Sequence, residues 1–128
     1  MTYKLDWESN GIYWEYYGKV SGKEIIEAST TIYGDERFDT LKYKLVNFLG
    51  VDSIEMNDDE VALIAHQHRT AERSNPNIKS AIVIKSGREI ADKFAAFFTE
   101  SFWEVQVFED LDEANNWLDR EAPFEYKI

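Results

Sequence analysis

With 128 residues, 44% of them hydrophobic and 30% charged, the chain has the size and mixture of one folded domain, 1–128, and not those of a disordered segment. It has no cysteine, which excludes disulfides, thiolate zinc sites, iron–sulfur clusters and a cysteine nucleophile, and which fits a reducing cytoplasm. A formal net charge of −11, with ten acidic residues against three basic ones over 91–128, argues against nucleic acid and against docking on an anionic membrane.

The start, Met1 to Asp6, has no apolar run behind its basic residue, so no signal peptide is read, and no stretch is apolar enough to span a bilayer. A cytoplasmic, non-embedded protein is the expectation. Tyr3 to Glu8 alternates with period two and predicts a strand with one buried face. Asn10-Gly11, a pair that readily takes positive φ, predicts a tight hairpin into an antiparallel strand over Ile12 to Tyr17. That second strand is apolar on both sides, since Tyr13 and Tyr17 lie on its outer face. Ser21-Gly22-Lys23-Glu24 reads as a capping box opening a first helix, with Ile25, Ala28 and Ile32 inward and Gly34 at its end.

A polar connection anchored by Phe38 and Leu41 leads to a strand over Tyr43 to Leu49, followed by a long connection from Gly50 to Asn57. Asn57 or Asp58 caps a second helix reaching about Arg73, and Asn75-Pro76-Asn77 breaks it. Ala81 to Ile84 is a continuous apolar run, the pattern of a central strand covered on both faces. Ser86-Gly87-Arg88-Glu89 looks like a second capping box, opening a third helix with Ile90, Phe94, Phe97 and Phe98 on one face. Trp103 to Phe108 is the last strand. Asp110 to Glu113 opens a fourth helix, with Leu111, Ala114, Trp117 and Leu118 inward and Pro123 at its end.

Strand, strand, then alternating helix and strand predicts an α/β fold: a five-stranded mixed sheet, with an N-terminal antiparallel hairpin, then parallel strands, and four helices. Crossovers wound one way put the helices on one face. The aromatic second strand on the other face then becomes a candidate homodimer surface.

This layout, together with Asn10-Gly11-Ile12-Tyr13-Trp14, Gly18-Lys19-Val20 and the closing Val107 to Leu118 segment with its Phe-acidic-acidic-Leu and Trp-Leu phrases, resembles the SpoIIAA-like group of the STAS superfamily. The resemblance covers nearly the whole chain. It implies strand–helix units wound as a short superhelix, and a non-enzymatic binding or regulatory domain acting on a protein partner. It also implies, through Sec14-like carriers, a second reading as a carrier or sensor of a small apolar ligand such as a lipid. In the anti-sigma antagonists a phosphorylated Ser or Thr, in the turn opening the second helix, switches partner binding. The matching turn here, Met56-Asn57-Asp58, places Met56 and Asn57 at the serine positions, with no hydroxyl, and Ser53 is the nearest one upstream. Asp58 and Asp59 would repel a phosphate there.

Other candidates follow from the residues themselves. His66 and His68 stand two apart and point to different sides of a helix, a poor metal clamp, so no metal is expected. His68 falls on the apolar stripe as a core-edge histidine. His66, Arg69 and Arg73 form a basic stripe, either a solvated face or a docking surface for an acidic partner. Ser86-Gly87-Arg88 and Ser21-Gly22-Lys23 are open, basic helix starts. Capping explains both, and an anion cradle is the sharper alternative. Phe94, Phe97, Phe98 and Phe102 with Trp103 are core packing or the wall of an apolar pocket under the third helix. No serine elbow, carboxylate couple or dinucleotide loop is present, so no catalytic residue and no cofactor are expected.

Overall fold

The computed structural model describes residues 3–120. Tyr3–Trp7 (β1) and Gly11–Ser21 (β2) form the antiparallel pair, with Leu5 opposite Trp14 and Trp7 opposite Ile12. The reason for Gly11 differs from the expectation. Neither Asn10 nor Gly11 has positive φ. Gly11 is instead the buried first residue of β2, and the Tyr43 ring lies where a Cβ would stand. Close approach, not turn geometry, requires glycine there.

Gly22–Tyr33 forms the first helix (α1), and the Ser21 hydroxyl accepts from the Glu24 amide at 3.3 Å. A 3-10 turn over Glu36–Thr40 buries Phe38 and leads to Tyr43–Glu55 (β3). This strand has 13 residues, nearly twice the predicted length, and takes in the supposed connection. Its second half pairs with the equally long end of β2: Gly18 with Val51, Val20 with Ile54. The pairing shifts register twice, opposite Glu15–Tyr17 and Gly18–Lys19, each time with one extra residue in β3, and Gly18 stands there at φ 65°.

Asp58–Ala71 (α2) starts at a full capping box. Asn57 accepts from the Glu60 amide at 2.8 Å, and the Glu60 carboxylate accepts from the Asn57 amide at 3.0 Å. Then come Lys79–Val83 (β4), Arg88–Ala96 (α3), Glu104–Phe108 (β5) and Leu111–Leu118 (α4). The second predicted box does not form: α3 starts at Gly87, left-handed at φ 87°, with no side-chain cap. Asp110 caps α4 through the Asp112 and Glu113 amides, and Asp119 ends it in the left-handed region at φ 56°. Pro123 lies outside the described residues.

The sheet order is β1-β2-β3-β4-β5, and every pair after the first is parallel. Alternation sorts the sheet into two faces. Trp14, Val46 and Ile82 pack toward α1, α2 and α3, while Tyr13, Leu45, Ala81 and Val83 face the other way. The second face is not bare. α4 crosses to it and seats Ala114 and Leu118 on those four residues, with Tyr13 only 8% exposed. The expected one-sided arrangement, and with it the argument for a dimer through the second strand, is corrected by this helix. Arg120 fixes the crossing: its guanidinium donates to both Glu8 oxygens, at 2.9 and 2.7 Å, and Tyr43 donates to the same carboxylate.

Candidate functional site

Lys44 is the second residue of β3 and the first on its helix-covered face, in line with Val46 and Phe48. A parallel strand in mid-sheet buries both its faces, so a polar residue in it has no route to water. Lys44 is accordingly 1% exposed. Its ammonium donates to the Tyr33 hydroxyl of α1 at 2.8 Å and lies 5.2 to 5.4 Å from the ring centres of Tyr33, Trp103 and Trp14. The rings offer cation–π attraction but no counter-charge. Among the described residues no carboxylate pairs with it. Burial alone therefore pulls the Lys44 pKa from its ordinary value near 10.5 down to about 7.

His68 of α2 stands close by. Its Nδ1 donates to the Ile64 carbonyl at 2.8 Å, which leaves Nε2 as the unprotonated nitrogen of a neutral ring. Burial, reinforced by the Lys44 charge, holds its pKa well below the ordinary range. Tyr33 and Phe94 meet the imidazole edge-on, at 5.1 Å each. It is a core histidine in an aromatic box, the plainer of the two expectations.

Between these groups and the sheet the packing is incomplete. A cavity of about 80 Å³ lies under the three helices, its polar end at Lys44, His68, Ser29 and Ser80. Ser29 and Ser80 are 3% and 2% exposed, and neither hydroxyl has a hydrogen-bond partner among the described residues. The Trp14 indole, also in the wall, has a buried N–H without an acceptor among the described residues. The rest of the wall is aliphatic and aromatic: Ile25, Ile54, Ile82, Ile84, Ile90 and Phe94. Val46 shows the consequence, remaining partly exposed although it faces the helices from the middle of the sheet. The volume lies well under the roughly 300 Å³ at which sites for drug-sized molecules begin. It suits the end of a ligand or a short chain, not a whole lipid.

The predicted site residues scatter around this cavity. Phe94 lines it. Phe98 and Trp103 are buried behind His68, stacked at 6.2 Å with nearly parallel planes, and the Trp103 indole is committed to the Asn75 carbonyl. Phe97, 46% exposed, lies outside it. Met56 of the switch turn lines the cavity, while Asn57 is the cap of α2 and Asp58 is exposed beside Lys93. Ser53 is a strand residue opposite Lys19.

At the start of α3, Arg88 lies 3.8 Å from Asp92 and 3.3 Å from Glu109, so acids already answer its charge beside Ser86 and Gly87. The Glu60 carboxylate lies against Gly22 and occupies the start of α1 in the same way. His66, Arg69 and Arg73 are exposed and share a shallow surface groove with Phe97 and Phe102. Arg69 is tied there to Glu72 and the Phe97 carbonyl, at 3.1 Å each.

Sequence reasoning missed Lys44, Tyr33, Ser29 and Ser80. A signal existed for Lys44: it stands two residues before Val46 in a strand that parallel pairing covers on both faces.

Compared by sequence, the chain matches no family model and no curated protein. Compared by structure, it is similar to the anti-sigma factor antagonist SpoIIAA in its unphosphorylated form, at 12% identity, TM-score 0.60, covering 94% of this chain and 99% of that one. It is similar to an anti-sigma factor antagonist from Mycobacterium paratuberculosis, at 9% identity, TM-score 0.59, covering 92% and 93%. A third likeness is to an uncharacterised DUF3478-family protein with a SpoIIAA-like fold from Shewanella loihica, at 14% identity, TM-score 0.57, covering 91% of each chain. At these identities the likeness speaks for architecture, and it extends over more than nine-tenths of the chain: this protein has a SpoIIAA-like fold.

Proposed function

We propose that this chain is a non-enzymatic binding domain of the STAS type, acting through contact with a protein partner and lacking the phosphoacceptor at the turn into α2. Two of its structural neighbours are anti-sigma factor antagonists. The observation that carries protein contact is the groove beside α2. Phe102 is 80% and Phe97 46% exposed, next to the exposed His66 and Arg73. Aromatic rings beside arginine are the composition of contact surfaces, and a basic patch on a protein of net charge −11 favours an acidic partner. Asn57 caps α2 where the resemblance puts the switch hydroxyl, so binding would not be gated there.

The test is cross-linking and quantitative capture with the full chain, wild type against a Phe102→Ser, Arg73→Glu double variant. A partner held by the wild type and lost by the variant, with unchanged melting, is expected. Equal capture by both would sink this surface as the contact.

The cavity favours a second reading, the holding of a small apolar ligand. Under it, native mass spectrometry of freshly purified protein finds extra mass that solvent extraction removes. A bare mass, together with no binding of 1-hexanol, counts against it.

A further inference from the structure

We propose that the cavity under α1, α2 and α3 binds an aliphatic carboxylate, its charged end on the Lys44 ammonium and its chain along the isoleucine wall. The inference rests on the apolar-ligand reading and adds a head group to it. Three observations carry it. Lys44 can donate three hydrogen bonds, and among the described residues only the Tyr33 hydroxyl accepts one. Ser29 and Ser80, buried residues of the same lining, have hydroxyls with no hydrogen-bond partner among the described residues, and the Trp14 indole N–H is buried there without an acceptor. A set of buried donors with too few acceptors is completed by a group made of acceptors, and a carboxylate is that group.

Charge selects in the same direction. The low pKa of Lys44 reflects a site with no counter-charge, so an entering anion would restore the proton. His68 does not compete for the head group, because its outward nitrogen is itself an acceptor. The remaining wall selects against inorganic anions. Ile25, Ile54, Ile82, Ile84 and Ile90 offer a hydrated ion nothing in exchange for its water, but they cover a methylene chain. The size of the cavity limits the buried portion to the head and a few carbons.

The test compares hexanoate with 1-hexanol, the same chain without the charge, titrated into the full chain at pH 6.5 and followed by calorimetry and by the methyl resonances of Val46, Ile54 and Ile82. Hexanoate should bind one to one, at least tenfold tighter than 1-hexanol, and Lys44→Met should abolish the difference while still binding 1-hexanol. The comparison within the wild type needs no variant to fold. If 1-hexanol binds as tightly as hexanoate, the carboxylate inference falls and the apolar-ligand reading stands. If hexanoate binding survives Lys44→Met unchanged, the inference falls as well. If neither probe moves these methyls at millimolar concentration, both readings fall and the cavity holds water alone.

Discussion

An ammonium that meets one hydroxyl and three aromatic rings destabilises the state that buries it. Lys44 titrates near pH 7 in the folded chain and near 10.5 when unfolded. Between those values the unfolded chain binds a proton that the folded chain does not, so stability rises as pH goes from about 7 toward 10. His68 acts with the same sign lower down: below about pH 6.5 the unfolded ring takes a proton that the buried ring refuses, so stability falls with acid. The buried Tyr16 and Tyr33, whose pKa values burial raises, close the window above pH 10. Lys44→Met should therefore stabilise the protein at pH 6, by about 1–4 kcal/mol, and flatten the slope between 7 and 10. Urea melts at pH 6, 7.5 and 9 read this directly, and parallel curves for the two proteins would refute it. Gly87 is the second residue of consequence. At φ 87° it has only ordinary contacts, to Ile54 and Ile84, where a Cβ would stand. Gly87→Ala should therefore cost about 1–2 kcal/mol from backbone conformation alone, measured as a shift in denaturation midpoint at constant slope.

Elements announce themselves through their ends more reliably than through their interiors. The start of α2 was legible to within one residue, Asn57 or Asp58, and the reciprocal pair of Asn57 and Glu60 settles it on Asn57; Asn57→Ala should cost about 1 kcal/mol while Asn57→Ser costs far less. The second half of β3 was not legible, because Gly50, Asp52 and Ser53 are poor strand residues and only the long partner strand holds them extended. The Ser86-Gly87-Arg88-Glu89 phrase misled for a related reason: Gly87 goes left-handed and takes the cap position itself. α4 depends on its last contact. Arg120 has a side chain 4% exposed and holds Glu8, at 21%, in a two-bond pair. Replacing it with Met strands that carboxylate with Tyr43 and should cost about 1.5–3 kcal/mol, detectable by thermal melting and by loss of amide protection in 111–118.

At the scale of the molecule, helix–strand alternation made the sheet and its parallel order readable. The side taken by α4 was not, because the handedness rule fixes a helix between two parallel strands and, among the described residues, no strand follows α4 to apply it. The cavity was half readable. Phe94 could be placed by helical spacing, but Lys44, Ser29 and Ser80 converge from three separated segments, through pairing of β3 with β4 and packing of α1 over the sheet. The two surfaces of interest are also independent. The groove of Arg73 and Phe102 lies on the outside of α2 and the cavity on its inside, so variants in one should leave the other's binding intact. In the cavity stability and the proposed binding would oppose each other: filling it with apolar residues should strengthen the fold and erase the one buried amine among the described residues.

Strand order that follows chain order has a consequence during synthesis. Each strand can join the sheet edge as it leaves the ribosome, and α1, α2 and α3 cover their face as they emerge. The opposite face, with Tyr13, Leu45, Ala81 and Val83, stays wet until residues 111–118 arrive. The eight-residue α4 is thus a late plug on the five-stranded sheet, and a chain stopped at Glu109 should self-associate through the face that the plug would have sealed.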